Sequence, residues 1–304
     1  MADTSIRIKK ILVATDFSGH SKIALARAID IAVAFQCQLT AVHCVPDLAF
    51  VPSGSEFGLP NADYMLMQED FRRDASVAMK NYLEGSVPQA LPVNSKILVG
   101  DPHIELSVFA ETDKAELVIA GRSGHSGWEQ FFLGSTSRGL VHRCPVSVLA
   151  VSDQWTQKPK SILAGTDFSD KSRDAVLYGL AIAEKLGGVV HLMHVIDTTD
   201  TPSTSVNRMT SHDSMRQSIN DYAQSRLEAF VQTLECHASQ LQLHLSWGTP
   251  WRDMCQTAEK INADLIVIGN VGRRSVQRVF VGNTADRILS HSKSSVLAVK
   301  SAGQ

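Results

Sequence analysis

This sequence lacks a disulfide pattern, a dominant sign of charge and any long apolar run. Its five cysteines, Cys37, Cys44, Cys144, Cys236 and Cys255, are scattered, odd in number and include no C-x-x-C pair. That usage fits free thiols in a reducing compartment rather than a disulfide framework. Neither sign of charge dominates, because 29 Lys and Arg face 31 Asp and Glu for a net charge of -2. Such a balance favours neither nucleic acid nor an anionic membrane surface. No apolar run approaches the roughly 20 residues a spanning helix needs. Met1–Ser5 lacks the apolar core of a signal peptide. The expectation is a cytoplasmic chain with no nucleic-acid and no membrane partner.

Catalytic signatures are missing too. No G-x-x-x-x-G-K-[ST] places a lysine on phosphates. No kinase set of Lys, His-Arg-Asp and Asp-Phe-Gly appears, and no Gly-x-Ser-x-Gly elbow. No His/Cys spacing suggests zinc.

What is present comes twice. Gly121-Arg122-Ser123-Gly124, nine residues, then Gly134-Ser135-Thr136 recurs as Gly269-Asn270-Val271-Gly272, nine residues, then Gly282-Asn283-Thr284. Each follows a short apolar run, Leu117–Ala120 or Leu265–Ile268, that suits a buried parallel strand. Glycines let a backbone approach an anion, and free amides at a helix start meet its charge. Both copies therefore read as a phosphate-binding turn. The phrase Ile11-Leu12-Val13-Ala14-Thr15-Asp16-Phe17-Ser18 likewise recurs as Ile162-Leu163-Ala164-Gly165-Thr166-Asp167-Phe168-Ser169. A chain of 304 residues holds two ordinary domains, with expected bounds 1–152 and 153–304.

In each half a first strand ends at Thr15-Asp16 or Thr166-Asp167, and Ser18 or Ser169 caps the next helix. The helix faces are read as Leu25, Ile29, Ala32, Phe35 and as Val176, Leu180, Ala183, Leu186. A second strand ends near His43-Cys44 or His194-Val195. Long loops follow, Pro46–Ala62 and Asp197–Asp213, each read equally as a lid or as disorder. Then come a long helix (Tyr64–Leu83, Ser214–Leu234), a short strand (Ser95–Val99, Gln242–Trp247), another helix (Ile104–Thr112, Arg252–Lys260), the glycine turn, and a last strand. Alternating strands and helices imply a five-stranded parallel sheet with helices on both faces. Ligands bind beyond the carboxyl ends of such strands.

The ordered set of I-L-V-A-T-D-F-S, a strand ending in His-x-Val/Ile, the turn G-x-P, and G-x-x-G-x9-G-[S/N]-T closing on S-V-L-A-V resembles the universal stress protein family, twice over nearly the whole chain. The resemblance implies a tandem α/β member of the ATP-binding type, with two Rossmann-like domains of the adenine nucleotide alpha hydrolase-like kind. It implies adenine held by backbone atoms at Cys44 and Val195. Thr15-Asp16 and Thr166-Asp167 would lie beside adenine and ribose. Gly121, Gly124, Gly134, Ser135 and Thr136 would cradle ribose and phosphates in the first half. Gly269, Gly272, Gly282, Asn283 and Thr284 would do so in the second, where Asn283 departs from the usual Ser. Family members dimerise along the last strand, so Val146–Val151 and Ser295–Val299 are expected to meet as an intrachain pseudo-dimer, with a further homodimer left open.

Asp16 and Asp167 read either as turn caps or as ligand groups. His43 and His194 read as structural. His125 and Arg273 either meet phosphates or are solvated, and Arg273, Arg274 and Arg278 form a basic cluster near the second turn. The leading function is an ATP-binding stress regulator acting through an unknown protein partner. A slow ATPase or self-phosphorylating enzyme using Mg²⁺, and a scaffold with one degenerate pocket, are the competing readings.

Overall fold

The computed structural model describes residues 6–48, 61–88, 91–122, 134–155, 158–198, 213–234, 241–270 and 282–300. They form two compact units, Ile8–Asp153 and the chain from Gln154 onward. Gly124, His125, Gly272, Arg273, Arg274 and Arg278, with most of both long loops, lie outside the described residues.

Unit one runs β1 (Lys10–Ala14), α1 (Gly19–Phe35), β2 (Gln38–Val45), α2 (Asn61–Glu84), β3 (Val93–Val99), α3 (Pro102–Thr112), β4 (Leu117–Gly121), α4 (Ser135–Arg143) and β5 (Ser147–Val151). Its strands are parallel and ordered β3-β2-β1-β4-β5. Unit two repeats this with β6 (Ser161–Gly165), α5 (Asp170–Leu186), β7 (Val189–Asp197), α6 (Asp213–Gln232), β8 (Leu241–Gly248), α7 (Pro250–Lys260), β9 (Leu265–Gly269), α8 (Asn283–His291) and β10 (Ser295–Val299). Its order is β8-β7-β6-β9-β10, again parallel.

Right-handed crossovers fix the layers. α1 and α2 step outward from β1 to β3 on one face. α3 and α4 step back to β4 and β5 on the other, where they pack together. The strand order reverses between β1 and β4, so a crevice opens at their carboxyl ends. The central strands read as apolar runs because both faces are covered: Ile11, Leu12, Val13, Leu117, Val118 and Ile119 are fully buried.

Ser18 and Ser169 cap α1 and α5 as expected, their side chains accepting from Ser21 N and Ser172 N. The expected face of α5 is buried in full. For α1 the face is rotated: Ala24, Leu25, Ala28, Ile31 and Ala32 are buried, whereas Ile29 and Phe35 are only half-buried. The helix is apolar on nearly every side, so periodicity could not orient it.

In unit two, His191 Nδ1 and His244 Nε2 lie 2.9 Å apart across β7 and β8. Burial lowers the pKa of both, and for His191 the neighbouring His244 adds to it. The folded state thus holds fewer protons than the unfolded chain below the ordinary histidine pKa of 6.5. The contribution is full above that pH and is lost as pH falls through the folded values. Thermal unfolding followed by tryptophan emission, to which unit two contributes three of the four tryptophans, Trp155, Trp247 and Trp251, beside Trp128 of unit one, should show a midpoint that drops as pH falls below about 6.5. In His191→Thr, which borrows Thr40 from the equivalent place in unit one, that drop should shrink. An equal drop in both proteins counts against the assignment.

Candidate functional site: a cleft at the carboxyl ends of β1, β2 and β4

The cleft begins with a hard stop in β1. Thr15 N makes the last rung, to Val42 O at 2.9 Å. The chain then turns through Phe17 with φ of 64°, a left-handed conformation uncommon for a bulky side chain. Phe168 repeats it at 65°. The turn is locked from several sides. Phe17 N donates to Thr15 Oγ1 and Ser18 N to Asp16 Oδ1, both at 3.0 Å. The Thr15 hydroxyl donates to Ser21 Oγ at 3.0 Å, and Ser21 Oγ donates to Ser18 O at 2.9 Å. With its proton so used, Ser21 accepts from Tyr82 Oη at 3.3 Å. Burial raises the pKa of that phenol, which stays a donor. In unit two Thr166, Asp167, Phe168, Ser169 and Ser172 repeat these bonds, and Phe230 takes the place of Tyr82.

The histidines belong to this turn. His43 Nδ1 lies 2.8 Å from Thr15 O and His194 Nδ1 2.9 Å from Thr166 O. A carbonyl only accepts, so each Nδ1 carries the proton. Phe17 packs on His43 with ring centroids 4.4 Å apart, and Phe168 on His194 at 4.2 Å. The structural reading of both histidines agrees with this geometry.

Because β1 stops, β2 outruns it. Val42 O points toward β1, while Val45 O accepts from Gly100 N on the β3 side. Strand alternation then turns the Cys44 amide and carbonyl to the β1 side, beyond the end of β1. Cys44 lines the cleft there. Its thiol, pushed up to about 12 by burial and by nearby Glu105 and Asp101, is not a nucleophile. Met193 and Val195 stand in the same relation to β6, since Thr166 N donates to Met193 O.

The glycines divide into two kinds. A Cβ on Gly121 would come within 3.0 Å of His20 O, and one on Gly269 within 3.1 Å of Lys171 O. These two let the end of a strand pass the start of α1 or α5. Gly134 and Gly282 instead close the turn, Gly134 N donating to Arg122 O at 2.6 Å and Gly282 N to Asn270 O at 2.7 Å. They are the N-caps of α4 and α8, and neither helix has a side-chain cap bond. Among the described residues no side chain caps the first amides of either helix, which suits them to a ligand or water. Ser137 Oγ donates to Gly121 O at 2.5 Å and ties α4 to the end of β4. Unit two has Ala285 there, and its Asn283 Oδ1 accepts from Arg287 Nε at 3.0 Å.

The result in unit one is a cleft of about 290 Å³ that brings together Thr15, Asp16, Cys44, Gly121, Gly134, Ser135 and Thr136. Its apolar wall comes from Val42, Leu106 and Ala120. Sequence reading missed Ser21 and Ser137, which also line it. Ser21 carried a usable signal, recurrence as Ser172 at the offset that relates Asp16 to Asp167; Ser137 carried none.

A profile described as the universal stress protein family matches residues 7–152 and again 158–300. Universal stress protein MJ0531 of Methanocaldococcus jannaschii is 31% identical over 144 residues, which are 46% of this chain and 81% of that protein. The universal stress protein E homolog of Haemophilus influenzae is 23% identical over 313 residues, 97% of this chain and 98% of that one. Among solved structures, a putative universal stress protein from Pseudomonas aeruginosa superposes with a TM-score of 0.67 at 20% identity, covering 96% of this chain and 93% of that one.

The division of the glycines is testable. Gly121→Val forces a side chain against the backbone of α1 and should destabilise unit one by about 1–3 kcal/mol in urea denaturation. A stability within error of the parent would show that the close approach relaxes freely.

Proposed function

The chain belongs to the universal stress protein family, and from that premise we propose that it binds ATP and acts as a nucleotide-responsive regulator of the stress response. The observation that carries the reading is the meeting, in one cleft, of an outrunning strand edge at Cys44, the Asp16 carboxylate and the uncapped start of α4. Each part suits one part of an adenine nucleotide. A strand edge offers one donor and one acceptor to a planar base, matching what an adenine edge presents. A carboxylate accepts from ribose hydroxyls. Amides at a helix start meet phosphate oxygens, with the helix dipole adding to the attraction. The donor set therefore fits the group. In unit two Asp167, Val195, Gly282, Asn283 and Thr284 would play the same parts.

The chemistry supported is binding. Catalysed phosphoryl transfer needs metal carboxylates and a positioned base. Among the described residues no cluster of three or more His, Cys, Asp or Glu could hold a metal ion. Nucleotide occupancy would then act by favouring one state of a surface that a partner protein reads. No helix among the described residues is long and apolar enough to cross a membrane.

Gly134 has φ of -57° and ψ of 152°, a backbone any residue adopts. Gly134→Val should therefore leave the fold intact while its side chain enters the space phosphate oxygens need. Charge-assisted bonds of this kind are worth about 1.5–3 kcal/mol, so calorimetric titration should show ATP affinity in unit one falling by about tenfold or more. Gly282→Val tests unit two separately. Because unit one offers the Ser135 hydroxyl where unit two has Asn283, unit one is expected to bind at least as tightly. Unchanged affinity in a folded Gly134→Val protein would remove the reading, and loss of the tight site in Gly282→Val alone would reverse the order.

A further inference from the structure

β8 is the outer strand of its sheet, with β7 on one edge and, among the described residues, no strand on the other. Its eight residues, LQLHLSWG, contain no charge and no proline. Outer strands usually carry a Lys, a Pro or a bulge that prevents them from pairing with another chain. Unit one follows that rule. Its outer strand β3, VNSKILV, holds Lys96 opposite Val42. The matching position in β8, opposite Met193, is His244. His244 carries no fixed charge as Lys96 does: its Nε2 shares a hydrogen bond with His191 Nδ1, which leaves one proton between those two nitrogens. Burial favours the neutral ring as well.

The face of β8 turned toward α6 is a row of Leu241, Leu243, Leu245 and Trp247; Trp247 Nε1 donates to Asn220 Oδ1 on that helix at 2.6 Å. Leu243 is 38% exposed, high for a leucine within a strand. Alongside runs an open groove of about 570 Å³ between α6 and the end of β8. Two charges on α6 line it. Arg216 lies over the Trp247 ring at 5.7 Å, and Asp221 follows further along the helix. A positive and then a negative group along one edge form a self-complementary pattern. A copy running the other way brings its negative group to the positive one, and the converse.

We infer that a second copy of this chain pairs with β8, the two strands running antiparallel about a two-fold axis, with Arg216 of each copy facing the partner's Asp221. The occupant is a copy rather than an unrelated strand because the charge order complements itself only under that symmetry. Antiparallel self-pairing would set Lys96 against its own mate in unit one, and nothing comparable opposes it in β8. An isologous contact of this kind also closes, so association stops at a dimer.

The experiment is sedimentation equilibrium of the full chain at neutral pH. The expected result is a reversible dimer. Leu243→Lys restores a charged edge and should give a monomer with unchanged circular dichroism. Arg216→Asp and Asp221→Arg each set like charges together at both symmetric contacts and should weaken the dimer about tenfold or more. These two positions are on the surface of α6, so folding is not at stake. The double variant should recover the parent affinity. A monomeric parent overturns the proposal, as does a dimer indifferent to Leu243→Lys or a double variant no tighter than the singles. Growth beyond a dimer through the same edge overturns it too, since the contact would then not be two-fold.

Discussion

The cleft exists because β1 stops early. One rung after Ala14 the chain turns through a left-handed phenylalanine, and everything at the carboxyl end of the sheet follows from that turn. Were β1 to continue, its backbone would occupy the Cys44 edge of β2. A bulky residue at positive φ costs free energy, of the order of 1–3 kcal/mol for a sparsely populated conformation. It persists here because the side chains of Thr15, Asp16, Ser18, Ser21 and His43 each bond a different backbone group of the turn or of the helix start that follows it. Unit two repeats both the conformation and the bonds, so the strain belongs to the design of the repeat.

The same turn settles how the Asp residues are used. Asp16 Oδ1 accepts from Ser18 N, so the carboxylate caps the turn. It also lines the cleft. Turn cap and ligand group, which the sequence presents as alternatives, are compatible in one side chain because a carboxylate has two oxygens and accepts several bonds. In unit two Asp167 Oδ1 accepts from both Ser169 N and Ser169 Oγ.

Much of this was legible in the sequence, and the reasons differ by residue. The duplication was plain because Thr-Asp-Phe-Ser, the strand-end histidine and the glycine turn keep their order and spacing. Caps were legible because Ser18 and Ser169 act on amides three residues away. Long-range roles were not. The bond from Ser137 to Gly121 spans sixteen residues and has no counterpart in the second half. Gly121 and Gly134 look alike in a motif, yet one clears a helix backbone and the other opens a helix start. The His191–His244 pair depends on the register of β7 with β8, which no local pattern reveals. The face of α1 was misread for the opposite reason, an excess of apolar residues rather than a lack of signal.

The two units share a scaffold and differ in the residues hung on it. Tyr82 becomes Phe230, Ser137 becomes Ala285, and Lys96 becomes His244. Each change removes a hydrogen bond or a fixed charge from unit two, while Arg287 brings a charge toward the start of α8. The proposed binding turns on the uncapped starts of α4 and α8 receiving the phosphates of an adenine nucleotide. Native mass spectrometry of the gently purified chain, titrated in parallel with ATP and with adenosine, tests it most directly. The expected result is adducts of ATP mass, one or two per chain, that form at far lower concentration than adenosine adducts. Equal occupancy by both ligands, or none by ATP, would contradict it.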